Sequence, residues 1–89
     1  MVRTIVEEDH YAKQLASIEA DAKRADELIF GITWLLARDA SMGSRVSNDS
    51  RVWMLFSNTD NATIDSLTVY HTFDSELVYL LSIERTDNK

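Results

Sequence analysis

The spacing of apolar residues changes once along this 89-residue chain, and that change constrains the fold more than any other feature. Between residues 9 and 39, apolar side chains recur every three or four positions, which is the spacing of one face of an α-helix. After Gly43 apolar residues alternate with polar ones, which is the spacing of a half-buried β-strand. The sequence therefore predicts an α+β domain in which helices precede most of the strands.

The helical segment is long for a single helix in a domain of this size. Local helix signals are weakest near Glu19–Ala22, although neither glycine nor proline occurs there. We therefore predict two helices, with the side chain of Asp21 capping the N-terminus of the second. Gly43 is the predicted terminator of the helical stretch.

Several short segments have the composition of β-strands. They are residues 3–6 before the helices, and residues 44–46, 51–57, 67–73 and 77–83 after them. Residues 58–66 are predicted to form a polar loop, and Asp74-Ser75-Glu76 is the predicted turn of the closing hairpin. The expected arrangement is β-α-α-β-β-β in its principal elements, with a helical hairpin packed on one face of an antiparallel sheet. Residues 1–89 form a single domain.

The register of the closing hairpin has two solutions. With a three-residue turn, residues of both hairpin strands share one face of the sheet. They are Leu67, Val69 and Phe73 from the first strand and Leu77, Tyr79, Leu81 and Ile83 from the second. A two-residue turn places Tyr70 opposite Tyr79 instead. In both registers Tyr70 and His71 point to opposite faces, because side chains alternate along a strand.

Composition argues against several kinds of chemistry. The chain has no cysteine, which excludes disulfides and thiolate metal sites. It also has no sequence motif for a metal or a nucleotide, so we expect no metal and no cofactor. Fifteen acidic residues against nine basic ones give a net charge of −6, which opposes nucleic-acid binding unless the fold gathers the basic side chains. Without an apolar leader or a spanning stretch, a cytoplasmic protein with no membrane association is expected.

Three segments are similar to those of a known protein family. The segment "HYAKQLASI" looks like the family's first helix, and "LLARDASMG" looks like its helix-ending segment. The segment "LTVYHTFDSELVYLLSIER" is similar to its closing hairpin, with a valine–tyrosine strand, an acidic turn and a terminal arginine. Together with the element order, these segments make the chain resemble the RelE/ParE superfamily, the toxins of type II toxin–antitoxin pairs, over nearly its whole length.

The resemblance implies a function and a set of site residues. RelE-type members are mRNA endoribonucleases (mRNA interferases) that act within the ribosome, with cations to stabilise the phosphate and a tyrosine or histidine to move protons. By resemblance, Arg51, Tyr70 and Arg85 are the candidate catalytic residues, and Arg45 and His71 are candidate substrate-binding residues. The implied partners are a cognate antitoxin, the ribosome and its message, and a homodimer is a further alternative.

A second interpretation is a non-catalytic protein of the same fold. ParE-type members inhibit DNA gyrase by binding it, and an inactive interaction or dimerisation module is a related alternative. The acidic balance and the short tail "TDNK" favour this interpretation, because RelE-type toxins are usually strongly basic. A third interpretation is an unrelated small α+β structural protein. A pocket lined by Arg45, Arg51 and Arg85 would favour catalysis, whereas a broad exposed apolar patch around Trp or Tyr would favour binding.

Overall fold

The computed structural model describes residues 2–58 and 66–86, within which seven elements follow one another. They are β1 (Thr4–Glu7), α1 (Asp9–Ile18), α2 (Ala22–Arg38), β2 (Ser44–Arg45), β3 (Trp53–Asn58), β4 (Ser66–Phe73) and β5 (Leu77–Thr86). This order confirms the α+β class, with two helices between the first strand and the rest. Most of the predicted polar loop, residues 59–65, lies outside the described residues.

Two helices form within the single apolar stripe, as predicted. The Oδ1 atom of Asp21 accepts hydrogen bonds from the backbone N–H groups of Lys23 and Arg24, at 3.0 and 3.1 Å. These N–H groups are among the donors that the first turn of a helix leaves without an intrahelical partner. Asp21 therefore starts α2 shortly after α1 ends at Ile18.

Gly43 does not terminate α2, which corrects the sequence prediction. The helix ends at Arg38, and the Asp39 backbone N–H still donates to the carbonyl oxygen of Leu35. Gly43 instead lies immediately before β2 with a φ of 91°, where a Cβ atom would collide with the carbonyl oxygen of Met54 on β3. Glycine is required there by a left-handed backbone and by close packing of two chain segments.

The strands of the described residues form one sheet in the order β1-β5-β4-β3-β2. β1 pairs with β5 in parallel, and the other neighbours are antiparallel. A parallel pair needs a long connection between its strands, which the helices and the intervening strands provide. β1 and β2 are therefore the two edges of this sheet.

The closing hairpin adopts neither of the predicted registers. Thr72 lies opposite Tyr79, but Tyr70 lies opposite Ser82, because the pairing shifts by one residue between Tyr70 and His71. Such a β-bulge leaves one extra residue on one of the two strands. The extra residue belongs to β5, whose inward-facing positions therefore change from even to odd numbers along the strand.

The bulge determines which residues of β5 enter the core. Val78, Leu80 and Ile83 are buried, whereas Leu77 and Tyr79 are only partly buried. A three-residue turn would place Leu77, Tyr79, Leu81 and Ile83 on one face with Leu67 and Val69, but of these four β5 residues only Ile83 is buried in the core with them. Counting alternate side chains from the turn fails here, because the β-bulge reverses which residues of β5 face the core.

Both helices contribute to one hydrophobic core on one face of the sheet. Its helical members are Tyr11, Leu15, Ala25, Ile29, Ile32 and Leu36, and its strand members are Leu67, Val69, Val78, Leu80 and Ile83. Each fully buried aliphatic side chain of this size contributes about 1.5–3 kcal/mol to folding. Neither α1 nor α2 covers the opposite face of the sheet, and we call it the open face.

Candidate functional site

The fold places the three candidate arginines at two ends of the sheet. Arg45 on β2 is level with His71 of β4, whereas Arg85 on β5 is level with Leu67. The step from Leu67 to His71 is about 13 Å along the strand, and β2 and β5 are about 14 Å apart across the sheet. Arg51 precedes β3 and lies at the Arg45 end. A pocket lined by all three arginines, which would have favoured catalysis, is therefore not formed by the described residues.

Tyr70 lies on the open face, where strand alternation predicts it. Its side chain is half-buried, and its hydroxyl donates to the Oε2 atom of Glu84 at 3.5 Å. Glu84 projects from the neighbouring strand β5, opposite Thr68. The nearest charged partner of the phenol is thus an anion, which repels a phosphate group instead of attracting it.

His71 lies on the opposite side of β4, on the face of the sheet that carries the core, and is fully buried. Its Nε2 atom bonds to the carbonyl oxygen of Ala40, and burial lowers the pKa of the imidazole below its ordinary value. The position of His71 does not support the expectation that it binds substrate, because its side chain is inaccessible from the open face. Its role in this structure is to join β4 to the segment that follows α2.

Two large aromatic residues project from the outer side of α2. Phe30 is 62 % exposed and Trp34 is 48 % exposed, and their separation of four positions places them on the same side of the helix. The guanidinium carbon of Arg38 lies 4.0 Å from the centre of the Trp34 ring, in a cation–π contact. The spacing of four positions between Phe30 and Trp34 is a sequence signal for this second apolar strip, which lies outside the core-facing side of α2.

An open groove of about 670 Å³ separates α2 from the edge strand β1. Its walls combine apolar side chains with two carboxylates, and its lining residues are Ile5, Glu7, Asp26, Ile29, Phe30, Thr33 and Trp34. A smaller cavity beside it is lined by Asp26, Glu27 and Phe30. We call the first of these the α2–β1 groove.

A second exposed apolar patch lies on the open face of the sheet. Phe56 is 58 % exposed and Met54 is 40 % exposed on β3. Met54 is opposite Tyr70 and Phe56 is opposite Thr68, so both side chains lie on the same face as Tyr70. The open face is thus more apolar than cationic along β3.

Trp53 packs against an aromatic side chain of β4. It is half-buried, and its ring lies 5.8 Å from that of Phe73, between ring centres. The guanidinium carbon of Arg45 lies 5.9 Å from the centre of the same Trp53 ring. The charge of Arg45 is therefore directed towards an aromatic neighbour at the edge of the sheet.

Comparison with known proteins returns no match to a family model, to a curated protein or to a solved structure. Within residues 2–58 and 66–86, no three His, Cys, Asp or Glu side chains are grouped closely enough to hold a metal ion. In the same part of the chain, no helix is both long and apolar enough to cross a membrane.

Proposed function

We propose that this chain is a non-catalytic protein-binding domain with the element order of the RelE/ParE superfamily. The observation that carries the proposal is the exposure of Phe30 and Trp34 on a helix whose other side already packs in the core. Aromatic side chains dominate the binding energy of protein interfaces, and contiguous exposed apolar surface marks interaction sites. A partner that covered both rings would gain about 1.5–3 kcal/mol from each.

The distribution of charge supports binding over catalysis. Cleavage of an RNA phosphodiester needs cations where negative charge develops in the transition state. Arg45 and Arg85 lie at separate ends of the sheet, and Tyr70 is hydrogen-bonded to a carboxylate. The net charge of −6 opposes the approach of a phosphate backbone as well.

Site-specific photo-crosslinking in cells tests the proposal. A photoreactive amino acid would replace Phe30 in one variant and the exposed loop residue Ser47 in a matched control. We expect discrete adducts of defined mass from position 30 and none from position 47. Adducts of equal yield at both positions, or no adduct at position 30, would contradict a specific binding surface on α2.

The second candidate is the ribosome-associated endoribonuclease that the resemblance implies, held inactive by an antitoxin. The observation in its favour is the position of Tyr70, half-buried on the open face of the sheet. A tyrosine there has the access that proton transfer to or from a bound message needs. New message ends inside translated codons, mapped after induction of this chain, would support this candidate.

A further inference from the structure

We propose that the α2–β1 groove binds a basic, extended segment of a partner protein, which adds a strand to the free edge of β1. This inference rests on the proposed function, and it adds where the partner binds and what its chemistry is. Three features of the groove carry it: a strand edge with no neighbouring strand among residues 2–58 and 66–86, an exposed aromatic wall and a carboxylate rim.

The free edge of β1 directs backbone groups away from the sheet. The N–H groups of Thr4 and Glu8 donate to carbonyl oxygens on the β5 side of the strand, each at 3.0 Å. Because the peptide groups of successive residues point to alternate sides of a strand, those of Ile5 and Glu7 point outward. Both residues line the groove. An extended segment that entered the groove would find these groups ready to pair, as in other cases of strand addition.

The length of the free edge limits what pairing alone can contribute. At one end, the N–H group of Arg3 donates to the carbonyl oxygen of Ala37 at 2.7 Å, so the end of α2 closes the groove there. Only the stretch around Ile5 and Glu7 remains open to a partner strand. Most of the affinity must therefore come from side chains placed against α2.

The aromatic wall supplies that contact. Phe30 and Trp34 line the groove from α2 and are exposed by about half or more of their surface. Successive side chains of an extended segment point to opposite sides, so every second one would face these rings. Aliphatic or aromatic residues at alternate positions of the partner would bury them.

The rim of the groove specifies the charge of the partner. Glu7 and Asp26 lie on opposite walls, and Glu27 borders the adjoining cavity with Phe30. Arg38 lies beyond Trp34, towards the end that α2 closes. Lysine or arginine side chains of the partner should therefore face the Glu7 end. A second copy of this chain fits poorly, because it carries the same carboxylates, Glu7 and Asp26, at this groove and has the same net charge of −6.

Selection of displayed peptides tests the inference with the full chain. Random peptides on phage would be selected on the wild-type protein, after removal of those that also bind the Phe30→Ser variant. We expect the enriched peptides to be basic, with apolar residues at alternate positions. A synthetic copy of an enriched peptide, followed by fluorescence anisotropy, should lose about tenfold or more in affinity for Phe30→Ser and Asp26→Lys.

Two matched control variants show whether a loss of binding is specific to this groove or follows from any loss of an exposed phenylalanine or a carboxylate. Phe56→Ser removes a phenylalanine of similar exposure from the open face, and Asp49→Lys makes the same change of charge in the exposed loop between β2 and β3. Both should bind the peptide as the wild type does. Methylation of the peptide nitrogens that face β1 should weaken binding, whereas methylation of the nitrogens that face away from β1 should leave it intact, as strand pairing requires.

The remaining outcomes would overturn the inference. Enrichment of acidic peptides, or affinity that survives Asp26→Lys, would rule out the proposed charge complementarity. No enrichment, together with persistent crosslinking at position 30, would mean that a folded surface binds α2, so the proposed function would stand without this groove. Crosslinks at position 30 that join two copies of the chain would identify a dimer instead. Loss of both peptide binding and crosslinking would remove the proposed function too.

Discussion

The Nε2 atom of His71 donates a hydrogen bond to the carbonyl oxygen of Ala40 at 2.8 Å, inside the core. A carbonyl oxygen only accepts, so the neutral ring carries its proton on Nε2. The other ring nitrogen, Nδ1, is buried with no hydrogen-bond partner among the described residues. Burial lowers the pKa of His71 by more than the Ala40 hydrogen bond raises it.

Stability should therefore fall when the solution is acidified through the titration range of histidine. The unfolded chain protonates His71 near its ordinary pKa of about 6.5, whereas the folded chain resists protonation until a lower pH. Stability from this group is complete above the unfolded pKa and is lost as the pH falls below it, at up to about 1.4 kcal/mol per pH unit. Urea unfolding at neutral pH and at pH values below 6 measures the difference.

Two glutamine variants identify the residue responsible. His71→Gln keeps an N–H donor for Ala40 but has no titrating ring, so its stability should depend less on pH than that of the wild type. His10→Gln removes the exposed histidine of α1 and should leave the pH dependence of the wild type almost unchanged. Equal pH dependence in all three proteins would contradict the role given to His71.

The two glycines should respond to alanine in opposite directions. Gly43 has a φ of 91° and packs against the Met54 carbonyl, so Gly43→Ala should destabilise the fold by on the order of 1–3 kcal/mol. Gly31 lies inside α2 with open space around it, so Gly31→Ala should stabilise the fold by about 0.5–1 kcal/mol. Thermal unfolding of both variants beside the wild type shows whether each substitution raises or lowers the stability of the fold. A stabilised Gly43→Ala variant would show that the contact with β3 is absent in solution.

Gln14 should be a stabilising link between α1 and β5. Its Oε1 atom accepts hydrogen bonds from the Ser82 hydroxyl at 2.8 Å and from the Ile83 backbone N–H at 2.9 Å, beside the β-bulge. Gln14→Leu leaves that N–H group without an acceptor, so a loss of about 1–3 kcal/mol is expected. Gln14→Glu keeps the acceptor and should lose less. Equal losses in the two variants, measured by denaturant unfolding at neutral pH, would show that packing, not hydrogen bonding, is what Gln14 contributes.

The element order and the helix break could be predicted because their signals are local. Asp21 has a side chain suited to capping, and the apolar spacing on either side of it specifies the helices. The hairpin register could not be predicted, since the β-bulge beside Tyr70 lies where Gln14 of α1 bonds to β5, and local sequence does not specify such a tertiary contact. The role of Gly43 was missed for a similar reason, because Met54 approaches it only in the folded sheet.

The positions of the candidate site residues were harder to predict than the secondary structure, because they depend on the tertiary fold. Strand alternation correctly placed Tyr70 and His71 on opposite faces. The separation of Arg45 from Arg85 follows from the order of the strands, which local sequence does not encode. In contrast, helical spacing alone is enough to predict that Phe30 and Trp34 lie on the same side of α2.

Our proposal is that the chain binds a protein partner and does not cut RNA. Message ends would be mapped by primer extension in bacterial cells after induction of this chain and of its Arg51→Ala, Tyr70→Ala and Arg85→Ala variants. The claim predicts no new ends inside translated codons for the wild type, and no difference between it and the variants. Cleavage inside codons that disappears in the three variants would contradict the claim and establish the ribonuclease.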